Sequence, residues 1–452
     1  MRTGLGSTQA AGMHRSPPQA AAIAFPWQNR HAPPSALREG ARRMSAAGQP
    51  PTSVPGRASE VLGAFLRLGL TSFGGPLAHL GYFREEFVRR RGWLDESGFA
   101  QLLSLCQVLP GPTSSQLGVA IGWQRAGWRG ALAAFVGFTL PSALLMFALA
   151  LSAPRWLLHP FGAELLHALK LVAVVVVAHG VYAMARTLTP DLRRALLAVV
   201  AAALVLALDR AWGQLLAIGL GALAGIAWCR PPPMAVAAAA SRRWRRDVGL
   251  CCALAFGVLL LAALWASSRH TAIPTPAPLA AAFYRTGALV FGGGHVVLPL
   301  LQRELVASGW MSADTFLAGY GAAQAMPGPM FALAAYLGAS TGSGIAPGAA
   351  AMLALAALFA PGLLALGAAL PLWQALAARR SVARALAGIN AAVVGVLAAA
   401  LYDPLWRDGI RSPPDLLVVA LGLVLMARLQ RPALWVVAWC AVSTLGLGAL
   451  GR

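Results

Sequence analysis

Charged residues are scarce in this chain of 452 residues: 11% are Asp, Glu, Lys or Arg, whereas 58% are hydrophobic. An average soluble protein carries about 25% charged residues, and so little polar surface would not cover a globule of this size. The composition therefore excludes an ordinary soluble protein. Long apolar runs separated by short arginine-containing loops predict a polytopic α-helical membrane protein.

Lysine is almost absent and acids are few, yet the net charge is +21. This net positive charge does not indicate a nucleic-acid-binding protein, because the arginines lie in loops between apolar runs rather than on one basic face. Cysteines number only five, and their spacing fits neither a disulfide framework nor a zinc site. We expect no cofactor, no metal and no nucleic acid, and a lipid bilayer as the surrounding medium.

The N-terminal 57 residues differ from the rest of the chain, because they are rich in Ala, Pro, Ser, Gly and Arg and lack helical periodicity. We interpret 1–57 as a disordered basic tail without the apolar core of a secretory signal. From Ala58 onward the hydropathy pattern predicts 13 spans. They are 58–80, 98–123, 128–152, 162–185, 192–208, 211–229, 247–267, 279–301, 314–340, 346–371, 381–402, 414–428 and 432–450.

Two motifs of the chain occur twice. The stretch "RLGLTSFGGP" at 67–76 matches "RTGALVFGGG" at 285–294 at an offset of 218 residues, and "QVLPGP" at 107–112 matches "QAMPGP" at 324–329 at an offset of 217. Downstream, Pro141 matches Pro361. The chain is therefore predicted to be an internal duplication: a first repeat 58–229, a basic cytoplasmic linker plus connecting span 230–278, and a second repeat 279–452.

The number of spans predicts how the two repeats are oriented. Six spans, one connecting span and six further spans make each repeat begin seven spans after its counterpart. Because seven is odd, the repeats should insert in opposite orientations. Inverted repeats with interrupted helices are typical of secondary transporters. The distribution of arginines among the loops favours a cytoplasmic N-terminus.

Glycine and proline interrupt the apolar runs at matched positions of the two repeats. Proline removes a backbone donor and glycine accepts strained dihedral angles, so these motifs predict broken helices. The N-terminus of a half-helix offers free N–H groups and a favourable dipole to an anion; a proline kink that only helps helices to pack is the alternative. The candidate substrate-binding residues at the breaks and their flanks are Phe73, Gly74, Gly75, Pro76, Gln107, Pro110, Gly111, Pro112, Thr113, Ser114, Gly292, Gly293, Gly294, Gln324, Pro327, Gly328 and Pro329.

Two arginines at matched positions, Arg67 and Arg285, lie within predicted spans. Buried arginines without acids are costly, and intramembrane acids are scarce, so we expect both to face an anionic substrate. A tetrahedral oxyanion suits arginine forks, hydroxyls and helix N-termini together. Snorkelling, or a salt bridge to an acid such as Glu60, Glu86 or Glu304, is the alternative.

Other ionisable residues are candidates for proton coupling, because histidine titrates near neutral pH. Glu164, His167 and Lys170 recur at helical spacing, and an interfacial polar cluster is the alternative interpretation of these three. His79 beside the first break and His295 inside the second are further candidates.

The stretch "SFGGPLAHLGYFREEFVRRRGWLDESGFAQLLSLCQVLPGP", with "FGGGHVVLPLL" and "AQAMPGP" in the second repeat, resembles the chromate ion transporter family in its long two-domain form. The resemblance implies a bacterial inner-membrane protein that exports chromate, confers chromate resistance and is driven by the proton gradient. A sulfate or other oxyanion carrier and a passive anion channel stay open. An enzyme acting on lipid phosphates would need clustered Asp or His residues, which the sequence does not show.

Overall fold

The computed structural model describes residues 56–157, 161–208, 211–230, 246–267, 274–291, 294–372 and 379–450. These residues are helical almost throughout and, within these ranges, include no β-strand, so the predicted all-α class is confirmed. Of the predicted tail only Gly56 and Arg57 are described, and the central part of the predicted linker, 231–245, also lies outside the described residues.

The order of the helices repeats along the chain. The first half comprises α1 Ala58–Thr71, α2 Gly75–Arg84, α3 Glu96–Val108, α4 Thr113–Leu157, α5 Gly162–Leu188, α6 Leu192–Ala207 and α7 Ala211–Trp228. After α8 Arg246–Ser267, the second half comprises α9 Pro276–Leu289, α10 Val297–Leu305, α11 Ala313–Ala323, α12 Leu333–Ser340, α13 Pro347–Ala369, α14 Arg380–Ala400, α15 Pro413–Ala427 and α16 Ala433–Leu450. Ala126 and Gly127 are non-helical and divide α4 where the second half has two separate helices. This is the order that a duplicated chain should have.

Five helices of the described part are long and apolar enough to cross a membrane. They are Thr113–Ala153, Gly162–Leu188, Arg246–Ala266, Pro347–Ala369 and Arg380–Gly409, and shorter apolar helices accompany them. Four predicted spans, 58–80, 98–123, 279–301 and 314–340, each consist of two helical pieces that meet at a Gly/Pro motif. Several spans are therefore interrupted helices, and the number of full crossings stays a prediction.

Side-chain caps begin the corresponding helices α3 and α11. The Asp95 carboxylate accepts a hydrogen bond from the N–H of Gly98, and the Ser312 hydroxyl accepts one from the N–H of Thr315. Each cap satisfies one of the free donors of a first helical turn. Hydrogen bonds from the Ser97 hydroxyl and the Gly98 N–H lower the pKa of Asp95.

The two halves are interwoven at the centre of the molecule. α5 of the first half packs against α11, α15 and α16 of the second, and α14 of the second half packs against α6 and α7 of the first. The last two helices of each half therefore hold the central helix of the other half. The largest cluster of buried residues accordingly contains residues of both halves.

Within each half, the helix before the first break lies against a long helix at very short range. A Cβ on Gly69 of α1 would lie 2.6 Å from the Gly137 carbonyl oxygen of α4, and one on Gly287 of α9 would overlap the Leu358 carbonyl of α13. Glycine permits this backbone contact, which fixes the ends of α1 and α9 against the middles of α4 and α13.

Candidate functional site

The breaks of the two halves form hydrogen bonds with each other crosswise. The Gly328 N–H of the second half donates to the Ser72 carbonyl of the first at 2.9 Å, and the Gly111 N–H of the first half donates to the Val290 carbonyl of the second at 2.7 Å. Ser72 and Val290 occupy matched positions in the duplication, as do Gly111 and Gly328. The two contacts, named here the Ser72–Gly328 junction and the Val290–Gly111 junction, are therefore reciprocal.

Both donor glycines have backbone angles that other residues rarely adopt, with φ of +110° at Gly111 and +87° at Gly328. A Cβ on Gly111 would lie 2.7 Å from the Gly362 Cα, and one on Gly328 would lie 2.9 Å from the Ser142 hydroxyl oxygen. The side-chain amide of Gln116 donates to the carbonyls of Pro110 and Gly362, both at 2.8 Å. Each Pro-Gly-Pro motif is thus held against the middle of a long helix.

The helical pieces after the two Pro-Gly-Pro motifs begin differently. Pro112 leads directly into α4, where Ser114 is buried and the Thr113 hydroxyl lies 3.5 Å from the Cys106 carbonyl. Pro327–Pro329 leads instead into a 3₁₀ turn, Met330–Ala332, before α12. The first turn of α4 therefore combines free helix N–H groups with hydroxyls, which the second half does not reproduce.

The other break residues occupy unlike surroundings. Phe73, Gly74 and Gly75 are half-buried at the start of α2, whose first turn also contains Pro76. Gly294 opens a 3₁₀ turn, whereas Gly292 and Gly293 lie outside the described residues. Gln107 is exposed, but its counterpart Gln324 is buried and donates to the Met330 sulfur at 3.2 Å.

Arg67 and Arg285 were expected to be matched buried cations that lack acidic partners, and the structure shows a different arrangement. Arg285 pairs with Glu304, its Nε lying 3.1 Å from Oε1, and it also donates to the Ala263 carbonyl. The Arg67 side chain is exposed on α1. For Arg285 the structure therefore shows the salt bridge that was the alternative, because α10 packs back along α9 after the break.

The three residues at helical spacing on α5 face three different helices of the second half. Lys170 lies 2.5 Å from Asp314 at the start of α11, and His167 lies 2.8 Å from Asp415 at the start of α15. Glu164 lies against α16, where a Cβ on Gly448 would be 2.9 Å from its Cγ. Lys170 and His167 are therefore paired with acids of the second half, and Glu164 packs against it.

A histidine cluster at the second break includes two residues that the sequence analysis missed. The Nδ1 of His295 lies 3.1 Å from the Tyr320 hydroxyl. A Cβ on Gly180 would lie 3.1 Å from the His295 ring, so α5 approaches this ring beside His179. His179 and Tyr320 carry no spacing signal in the sequence, because His179 lies near His295 only through the contact between the halves and Tyr320 only through helix packing within the second half.

His79 is almost completely buried on α2, and its ring packs edge-on against Phe138 with 5.3 Å between ring centroids.

Within the described ranges, no three or more His, Cys, Asp or Glu residues are grouped so that they could hold a metal ion.

Comparison with known proteins gives a match over both halves. The model of a family described as "Chromate transporter" matches residues 59–226 and again 277–445. The chromate transport protein of Pseudomonas aeruginosa is 28% identical over 364 residues, which cover 78% of this chain and 82% of that protein. The chromate transport protein of Cupriavidus metallidurans is 26% identical over 394 residues, 86% of this chain and 93% of that protein. No solved structure matches the chain.

Proposed function

The chain belongs to the chromate transporter family, and on that premise we propose that it is a secondary transporter that exports chromate from the cytoplasm and thereby confers chromate resistance. The observation that carries the proposal is the pair of reciprocal junctions at which the broken helices of the two halves meet. Broken helices at membrane depth are tolerated only inside protein or beside a water-filled cavity. Secondary transporters place their substrate sites where such helices meet.

The proposed orientation has the two halves inverted relative to each other in a bacterial inner membrane, with the N-terminus in the cytoplasm. In such an arrangement one set of helices rocks against the other around a fixed site. The crosswise packing of α5 and α14 supports this proposal, since it leaves α1 and α9 on their own long helices α4 and α13. Chromate would bind where the break motifs of the two halves meet.

Proton coupling is assigned, within this proposal, to the histidine cluster at the second break. His295 contacts the Tyr320 hydroxyl and lies beside α5 of the other half. A proton gained or lost there would change the contact between the halves. Lys170 and His167 are less suited to a relay, because each is held by its own carboxylate.

Uptake of labelled chromate into inverted membrane vesicles tests the proposal. Vesicles containing the protein should accumulate chromate when energised, and an uncoupler should abolish the accumulation. The variant Gly111→Leu is the negative control. A bulky side chain at the Val290–Gly111 junction should block transport while the protein still inserts.

Competition by sulfate and measurement of current distinguish the alternative functions, a general oxyanion carrier and a passive anion channel. An excess of sulfate that abolishes chromate uptake, with sulfate itself accumulated, would indicate a general oxyanion carrier. Flux that follows only the anion gradient and carries current would indicate a passive channel. Absence of chromate accumulation in energised vesicles would contradict the proposal.

A further inference from the structure

The two junctions have the same backbone hydrogen bond but differ in the side chains around it: the Gln116 amide holds two carbonyls at the Val290–Gly111 junction, and hydroxyls and an imidazole lie near the Ser72–Gly328 junction. Four polar residues of the first half lie at the Ser72–Gly328 junction or on the helix segments next to it: Ser72, His79, Thr139 and Ser142. Their exposed fractions are 0%, 1%, 5% and 1%, so all four are buried. Burial of this many polar side chains in an apolar core is costly unless each of them finds a partner.

The contacts around Gly328 connect the segments that carry these residues. A Cβ on Gly328 would lie 2.9 Å from the Ser142 hydroxyl oxygen and 3.1 Å from the Phe138 carbonyl. The Ser142 hydroxyl donates to the Thr139 carbonyl at 3.0 Å, one turn away on α4. The His79 ring packs edge-on against Phe138. Residues of α1, α2 and α4 therefore converge where the Pro-Gly-Pro motif of the second half arrives.

Three of these four residues have polar side-chain atoms without a hydrogen-bond partner in the described part of the chain. They are the Ser72 hydroxyl, the Thr139 hydroxyl and both ring nitrogens of His79. The Ser72 backbone lies beside the His79 ring, but neither ring nitrogen makes a hydrogen bond of ordinary geometry there. Ser142 differs, because its hydroxyl already donates to a backbone carbonyl.

The Val290–Gly111 junction provides an internal control for this polarity. The residues at the matched positions are Val290, Val297, Phe359 and Gly362, and none of them has a polar side chain. Both junctions make the same backbone contact, so hydroxyls and an imidazole are not needed to build one. At the Val290–Gly111 junction the Gln116 amide already donates to two carbonyls, whereas the Ser72 and Thr139 hydroxyls and the His79 ring nitrogens have no hydrogen-bond partner among the described residues, which points to a ligand.

We propose that the Ser72–Gly328 junction is the site at which the transported oxyanion binds, held by the hydroxyls of Ser72 and Thr139 and by the imidazole of His79. The inference rests on the proposed function and specifies where the substrate binds. Three side-chain donors suit the oxygens of a tetrahedral oxyanion such as chromate or sulfate. Ser142 is a positioning residue, because its hydroxyl fixes the turn of α4 that carries Thr139.

Equilibrium binding of labelled chromate to purified protein in lipid nanodiscs tests this site. Ser72→Ala and Thr139→Val each remove one donor with little change in shape, and each should weaken binding about 10- to 150-fold, the loss expected for one hydrogen bond to a charged group. His79→Gln keeps a donor and should have a smaller effect than His79→Leu. Labelled sulfate in a parallel series shows whether the same donors hold both anions.

Matched controls come from hydroxyls that already have a partner. Ser104 donates to the Ala100 carbonyl at 2.8 Å, and Thr187 donates to the Ala183 carbonyl at 3.1 Å. Ser104→Ala and Thr187→Val should bind chromate as the unmodified protein does. A thermal unfolding curve for every variant separates loss of binding from loss of the fold, and Thr139→Val is the variant that best preserves the packing.

The outcomes distinguish this inference from the proposed function. If the unmodified protein binds chromate and both Ser72→Ala and Thr139→Val stay within about twofold of it, the site is wrong while the transporter proposal stands. If the unmodified protein binds neither chromate nor sulfate, the proposed function is contradicted and the site with it. Weakened binding in these two variants but not in the two controls supports the site.

Discussion

Replacing single glycines by alanine tests whether the junctions depend on a backbone that only glycine can adopt. Gly111 has φ of +110°, and its missing Cβ would lie 2.7 Å from the Cα of Gly362, a backbone atom that cannot rotate away. The unusual backbone angle costs another residue about 1–3 kcal/mol, and overpacking a tight contact adds about 1–3 kcal/mol. We therefore expect Gly111→Ala to destabilise the protein by about 2–6 kcal/mol.

Two other glycines separate these contributions. Gly127 has φ of +63° with nothing within 4 Å of its Cβ position, so Gly127→Ala should incur only the conformational cost. Gly257 lies within α8, has no atom within 4 Å and has an ordinary helical backbone, so Gly257→Ala should be neutral or stabilising by about 0.5–1 kcal/mol.

The order of stability is measured from thermal unfolding curves of the detergent-purified variants, in which size-exclusion chromatography reports the folded fraction. The expected order of stability is Gly257→Ala, then Gly127→Ala, then Gly111→Ala. Chromate transport should be lost only in the last of them at temperatures where all three are folded. A Gly111→Ala protein as stable and active as Gly127→Ala would refute the close contact at the Val290–Gly111 junction.

Three further predictions concern ion pairs and the histidine cluster. Asp314→Asn should destabilise the protein by about 3–5 kcal/mol, because it leaves the Lys170 side chain, which is 3% exposed, without its partner. Lys170→Met should cost less, because the Asp314 side chain is 52% exposed. Equal thermal unfolding midpoints in the two variants would contradict this prediction. Arg285→Met should destabilise more than the same change combined with Glu304→Gln, as a double-mutant cycle of unfolding midpoints shows. Tyr320→Phe should slow proton-driven chromate uptake without changing chromate binding in nanodiscs, and unchanged uptake would remove His295 from the coupling proposal.

The breaks could be located from the sequence because their cause is local. Glycine and proline act on their own backbone, so the matched motifs fixed where α1 ends and where α4 begins. The internal match likewise gave the order of the helices. The contacts made by the breaks could not be predicted from the sequence, because the hydrogen bonds from Gly111 to Val290 and from Gly328 to Ser72 join residues that are distant in the chain.

The ionisable residues show the limit of reasoning from depth in a span. Arg67 and Arg285 occupy matched positions, yet one is exposed and the other pairs with Glu304. Glu86 is the counterpart of Glu304, but it pairs with Arg90 and Arg91 instead. The second half lacks those two arginines, so its acid is free to meet Arg285. Which partner an acid finds thus depends on neighbours that the duplication did not preserve.

Labelling of single cysteines measures the central claim, that the two halves lie in the membrane in opposite orientations. Ser97 and Ser308 lie in the corresponding segments between the two breaks of each half, and both are exposed. Each is replaced by cysteine in a background from which Cys106, Cys229, Cys251, Cys252 and Cys440 have been removed, and intact cells are treated with an impermeant maleimide. Inverted halves predict that only one of the two cysteines is labelled until the membrane is opened. Equal labelling of both in intact cells would contradict the inverted arrangement and the transport mechanism that rests on it.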